Sequence, residues 1–125
     1  MVAQLTRLDT SHDPGRLIAK AVVNAGRALG LSQKEVARAI GVSEAQVSKF
    51  KGGSAPVSGK ADELSRYLIR IFRSLDAITG GDPATTTAWM RGHNTDLRGV
   101  PAEMIATAAG LVEVMTYLDA ARAPL

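Results

Sequence analysis

The chain has 125 residues, enough for one domain with a real core or for a small module with a second one packed on it. Hydrophobic residues make up 46% and charged residues 22%, which excludes global disorder and fibrous repeats, and the absence of cysteine excludes disulfides, thiolate metal ligands and a cysteine nucleophile. Net charge is only +3, but residues 1 to 60 hold nine Lys and Arg against four acids while residues 61 to 125 hold six against eight, so the front half suits a polyanion and the rear half does not.

The first ten or so residues have no period and read as an arm. Asp13-Pro14 then pairs a capping side chain with a proline at a position where its missing N–H costs nothing, and Leu17, Val22, Ala25, Ala28 and Leu29 follow as a helical stripe closed by Gly30. Ser32-x-x-Glu35 is a capping box for a second helix ending at Gly41, and Ser43-x-x-Gln46 opens a third in the same way. Gly52-Gly53 stop it, and GGSAPVSG is the best linker in the chain. From Gly59 a long helix carries Leu64, Tyr67, Leu68, Ile71, Phe72, Leu75 and Ile78 as an apolar stripe, ended by Gly80-Gly81. Asp82-Pro83 start a helix bearing Trp89, RGHNTDLRGV reads as a turn-rich connection, Pro101 begins a short helix through Ile105, and a last helix runs from about Leu111 to Leu118 before Pro124. No strand alternation persists. The expected class is all-α with six or seven helices, divided into residues 1–58 and residues 59–125.

Two helices joined by a turn of about four residues containing Gly make a helix-turn-helix. Ala37 is small where the pair must approach, Gly41 suits the left-handed corner, and Val36, Ile40, Val42, Val47 and Phe50 point inward. On a wheel of about 100° per residue, Ala45, Ser48 and Lys49 then face outward, flanked by Glu44 and Gln46. Such a face enters the major groove with its N-terminal end first. Gln46 can pair with adenine, Ala45 can touch a thymine methyl and Glu44 can accept from a cytosine amino group. Lys34, Lys49 and Lys51 suit phosphates, as do Gln33 and the N–H groups at the start of the second helix; Ser43, which opens the third helix, is counted with the DNA-binding residues. Across Leu31 to Gly53 the stretch resembles the Cro/CI/Xre helix-turn-helix class. Glu44 departs from it, because an acid at the tip of the reading helix repels phosphate.

The run AWMRGHNTDLRGVPAEMIATAAGLVEVMTYLDAAR, Ala88 to Arg122, resembles the toxin-binding domain of the Xre/MbcA/ParS antitoxin family in the ordered set Trp89, Asn94, Leu97, Gly99, Pro101, Gly110-Leu111, Val114 and Leu118-Asp119. The resemblance implies an antitoxin that occludes a RES-domain toxin, an enzyme that consumes NAD, and that dimerises and represses its own operon. Trp89, Arg91, Asn94, Leu97, Arg98 and Arg122 are the candidate toxin-facing residues, the arginines as occupants of a pocket for dinucleotide phosphates. Each also has a plain structural account: Trp89 as core, Asn94 as a local cap, and Leu111, Val114, Met115 and Leu118 as a core or dimer stripe.

Other chemistry is not supported. His12 and His93 are far apart and lack a paired ligand pattern, so no metal site, cofactor or catalytic residue is expected. SGKA at Ser58 to Ala61 misses the phosphate-loop spacing, since five residues separate Gly53 from Gly59 and Ala follows Lys60. Asp62 and Glu63 sit at a helix start, where the macrodipole accounts for them. No run approaches roughly 18 apolar residues and no secretory start is visible, so a cytoplasmic protein is expected, with operator DNA, a toxin and a second copy as partners and neither a membrane nor a small-molecule substrate. A phage-like regulator without a toxin, and a protein-binding module with a non-functional helix-turn-helix, are the alternatives.

Overall fold

A computed structural model describes residues 13 to 123 as α1 (Pro14–Ala28), α2 (Gln33–Ile40), α3 (Glu44–Gly52), α4 (Gly59–Thr79), α5 (Pro83–Arg91), α6 (Pro101–Met104) and α7 (Ala108–Arg122). The fold is all-α, and among the described residues the only strand-like feature is an isolated bridge between Asn94 and Gly99. The N-terminal arm, His12 and Pro124 lie outside the described residues.

Side-chain caps set most of the helix starts. Asp13 Oδ1 accepts from the Gly15 N–H at 2.8 Å ahead of Pro14. Ser32 Oγ accepts from Glu35 N–H at 3.1 Å while Glu35 Oε1 accepts from Ser32 N–H at 2.9 Å, the complete capping box. Only half of such a box forms at Ser43, whose Oγ accepts from Gln46 N–H at 3.1 Å, and the Gln46 amide is left for other partners. Asp82 and Thr107 cap α5 and α7 through Thr85 N–H and Gly110 N–H. α7 is longer than expected at both ends because this cap lies before the apolar stripe begins, and Ala120 and Ala121 prolong the helix beyond it.

Helix α4 is the spine. It packs against α1 and α2 on one side and α7 on another, with Leu68, Ile71 and Leu75 fully buried, each worth about 1.5–3 kcal/mol relative to exposure. Residues of α1, α2 and α3 join Met90, Leu97, Ala102, Ile105, Leu111, Val114 and Leu118 in one connected core, so the two halves of the chain share their interior.

Three expected core residues face solvent. The buried face of α1 is Ala19, Val22, Val23 and Gly26, and Leu17, about 200° around the helix from Ala19, is 53% exposed. Ala28 is exposed for the same reason. Ile78 continues the α4 stripe but lies in its last turn, past the reach of the helices that cover it, and is 47% exposed.

Two glycines are close-packing positions. A Cβ on Gly26 would lie 2.4 Å from Val36 Cγ2, which fixes how closely α1 meets α2. A Cβ on Gly110 would lie 1.9 Å from the Met104 carbonyl oxygen, so only glycine lets α7 start against the end of α6.

Candidate functional site

Helices α2 and α3 form a bihelical wedge. Gly41, at φ 74°, takes the left-handed corner, and Val42 N–H donates to Ala37 O at 3.0 Å, so the chain turns within Gly41-Val42-Ser43. Val36, Ala37, Ile40, Val47 and Phe50 are buried, and Val42 is half-buried at the turn. That packing leaves Glu44, Ala45, Ser48, Lys49 and Lys51 exposed on α3 and Lys34 exposed on α2, with Gln33 and Gln46 half-buried at the rim. Ser43 is exposed; its Oγ accepts from Gln46 N–H in the cap of α3, which leaves its O–H able to donate.

The wedge is anchored from outside. Arg16 Nη1 donates to Gly53 O at 2.5 Å, fixing the C-terminal end of α3 to the start of α1. Gln33, Arg27 and Lys51 line one hollow of about 230 Å³ over Val23, Leu31, Val36 and Val47. Arg27 therefore adds a cation beside the α2 start that helical periodicity alone did not single out, because it belongs to a different helix.

In the rear half the candidate residues divide by environment. Trp89 is half-buried, with its ring stacked on Tyr117 at 6.3 Å between centroids and 22° between planes. Tyr117 donates its hydroxyl to Asp96 Oδ2 at 2.8 Å, and that carboxylate holds the phenol above its ordinary pKa. Arg98 is exposed at φ 60°, the left-handed region that costs a residue with a Cβ about 1–2 kcal/mol. Its turn is closed by the reciprocal backbone bonds of Asn94 and Gly99, at 2.8 and 3.2 Å.

Three expectations need correction or narrowing. Leu97 is not a surface contact: it is 6% exposed and belongs to the shared core. Asn94 acts as a local cap, its Oδ1 accepting from Leu97 N–H at 2.9 Å, so its side chain shapes the turn. Arg91 is already committed within the chain: its guanidinium donates to Glu35 Oε2 and Oε1 at 2.6 and 2.7 Å and to Gly30 O at 2.6 Å. The bonds from Arg91 outweigh partial burial and hold the Glu35 carboxyl at about 2, well below the usual 4.5.

Arg122 does not share a cavity with Arg91 or Arg98. It lines a hollow with Arg66, Arg70 and Arg73 of α4. The spacing of these three arginines, one helical turn or so apart, is the signal the sequence carries for this cluster, and it is independent of the apolar stripe.

No helix of the described residues is long and apolar enough to cross a membrane, and the described residues hold no group of three His, Asp or Glu placed to bind a metal.

A bihelical wedge with a tight glycine turn and a polar outer face, carried on a helical body that continues into a second segment, defines a helix-turn-helix protein with an appended helical domain. Residues 10–73 match the antitoxin Xre-like helix-turn-helix domain, and residues 74–123 match the antitoxin Xre/MbcA/ParS C-terminal toxin-binding domain. The chain belongs to the Xre-like antitoxin family, and its two domains are those of a binding and regulatory protein of a toxin–antitoxin pair. The two matched segments meet inside α4, the helix that both halves pack on. Comparison with curated proteins gave no match.

Proposed function

We propose that this antitoxin neutralises a RES-domain, NAD-consuming toxin by binding it directly, and that as a cytoplasmic homodimer it represses its own operon. The observation that carries the reading is the coexistence, over one core, of a solvent-facing α3 and a toxin-binding segment. The RES assignment is drawn from the resemblance of Ala88 to Arg122. Dimerisation follows from the short reach of one recognition helix, which contacts too few bases unless a two-fold partner supplies a second half-site.

In this reading Ala45, Gln46, Ser48 and Glu44 face base edges, and Gln33, Lys34, Lys49 and Lys51 face phosphates, with Ser43 holding α3 in place. Trp89, Arg98 and Arg122 face the toxin, while Asn94 shapes the turn that aims Arg98 and Arg91 ties the toxin-binding segment to α2. An arginine in an exposed left-handed conformation supports this, since such strain persists where the aim of a side chain matters.

The test is co-expression with the adjacent gene. The neighbour alone should arrest growth and deplete NAD, and this chain should restore both. A neighbour that arrests growth with NAD intact removes the RES assignment, and one still lethal beside this chain removes the antitoxin pairing. For DNA, the purified chain should shift its own promoter fragment with an affinity that falls steeply as salt rises. Absence of any shift at low salt would end the repressor reading.

A further inference from the structure

One hollow on the described residues is lined by none of the residues of the α3 face or of the Arg98 turn. It measures about 400 Å³ and is lined by Ile18 and Ala21 of α1, by Arg66, Ile69, Arg70, Arg73 and Ser74 of α4, and by Arg122 of α7. It shares Ala21, Ile69 and Arg73 with a second hollow of about 370 Å³, which continues along α1 past Asn24, Ala25 and Ala28 beside Phe72. The two make one groove. Between Ile18 and Ala28 it runs about 15 Å, the length of three helical turns.

The lining has two characters. Its floor is apolar and, on the α1 side, shallow-walled, because Ala21, Ala25 and Ala28 let another backbone come close. Its α4 wall and its α7 end are arginine. No acid among the described residues lines either hollow. Arg66 is paired with Asp62 at 2.9 Å and Arg70 with Asp119 at 3.0 Å, whereas Arg73 and Arg122 have no salt-bridge partner among the described residues.

We propose that this groove holds an acidic, amphipathic helix of the toxin, its apolar side on the α1 alanines, Ile69 and Phe72 and its carboxylates on Arg73, Arg122 and the outer faces of Arg66 and Arg70. The proposal rests on the toxin as partner and adds where the toxin is gripped. An apolar floor rimmed by arginine is the composition of a protein–protein interface, in which Arg is enriched around an apolar centre. Nucleic-acid surfaces are more polar and would waste the floor. A second copy packed on this groove two-fold fits poorly, because no acid among the described residues lines it, so the arginine walls of the two copies would face each other unpaired. The groove also straddles the two matched segments, with Ser74 and Arg122 from the toxin-binding match and the remainder from the helix-turn-helix match. An occupant would therefore touch both.

The test uses the full chain with the co-expressed toxin. R66E/R73E reverses two wall charges without touching the Arg70–Asp119 bond or the residues assigned to DNA. It should weaken toxin binding by about 10-fold or more while the melting temperature and promoter binding stay near those of the parent chain. A28W, which fills the floor at an exposed position, should weaken it as well. Amide exchange in the complex should slow at residues 18–28 and 66–73. Unchanged toxin affinity in both variants, with no slowing there, overturns the proposal. Loss of promoter binding with toxin affinity intact would make the groove a DNA surface, and a change of oligomeric state alone would make it a contact between copies; either overturns it too. A parent chain that fails to bind the toxin at all removes the toxin reading and the groove's occupant together.

Discussion

Arg91 and Glu35, 56 positions apart, face each other as a two-pronged ion pair at 2.6 and 2.7 Å, and the same guanidinium reaches Gly30 O at 2.6 Å. Glu35 is also the capping-box acid of α2, so one carboxylate closes the start of the helix-turn-helix and receives the toxin-binding segment. The pair is partly exposed, 43% for Arg91 and 27% for Glu35, which limits its strength. R91A should destabilise the fold by about 1–2 kcal/mol, the range for a two-pronged charge-assisted contact discounted for solvent screening. A double-mutant cycle with E35Q, followed by thermal melting, should show the two losses to be less than additive; strict additivity would mean the contact contributes nothing.

The same pair sets a pH response. Glu35 is depressed in the folded chain to about 2 from an ordinary 4.5, so it binds its proton more readily when unfolded. Its stabilisation is complete above the ordinary value and is lost as pH falls from there through the folded value. The stability gap between the parent chain and E35Q should accordingly be widest near neutral pH and narrow steadily in acid below about pH 5. A gap that is flat in chemical denaturation across that range would show Glu35 to be unperturbed.

Gly110 is the position where a single methyl group should do most harm. Its Cβ would stand 1.9 Å from the Met104 carbonyl, a backbone atom that cannot step aside without moving α6 or the start of α7. G110A should therefore cost about 3 kcal/mol or more, at or above the upper end of the overpacking range, and lower the midpoint of denaturant unfolding without changing its slope. G52A, where nothing lies within 4 Å, is the control and should be close to neutral.

Which features the chain could announce follows from the range of the forces involved. Capping boxes, Asp-Pro starts and glycine stops act over three or four residues, so Ser32, Asp82, Gly41 and Gly80 mark boundaries by themselves, and the α3 face follows from placing Val47 and Phe50 inward, whereas the Thr107 cap is not announced by the apolar stripe that follows it. Leu17 and Ile78 mislead because an apolar residue on a helix says nothing about whether another element reaches it. Leu97 misleads in the opposite sense: in a polar turn it looks like a contact, and only its burial in the shared core shows otherwise. The Arg91–Glu35 pair, the Trp89–Tyr117 stack and the arginine groove join residues from separate helices, and periodicity within one helix carries no information about which helices meet.

Arg98 offers a test in which stability and function should move in opposite directions. It alone among the described non-glycine residues has a left-handed backbone, at φ 60°. R98G removes a steric cost of about 1–2 kcal/mol, part of which returns as entropy of the unfolded chain, so the melting temperature should hold or rise slightly. Toxin neutralisation in co-expression should fall, because the turn remains while its cation is gone. R98K, which keeps the charge, should restore most of it; equal neutralisation by all three would place Arg98 outside the interface.

Glu44 and Lys49 occupy the same exposed face of α3 with opposite charge, and DNA should read the difference. Glu44 is the first residue of the helix, where its carboxylate complements the N-terminal dipole, so E44Q should cost a few tenths of a kcal/mol in stability. In the proposed docking that end enters the groove first, close to phosphate, so the same change should tighten binding to DNA of arbitrary sequence by several-fold at low salt. Lys49 should behave inversely: K49A loses one released counterion, weakens binding to all sequences alike and lowers the slope of log affinity against log salt by about 1. Titrating both variants against the promoter fragment and a scrambled duplex over a series of salt concentrations separates charge from base reading. If E44Q instead weakens only the promoter complex, Glu44 is reading a cytosine there, and the repulsion assigned to it is outweighed.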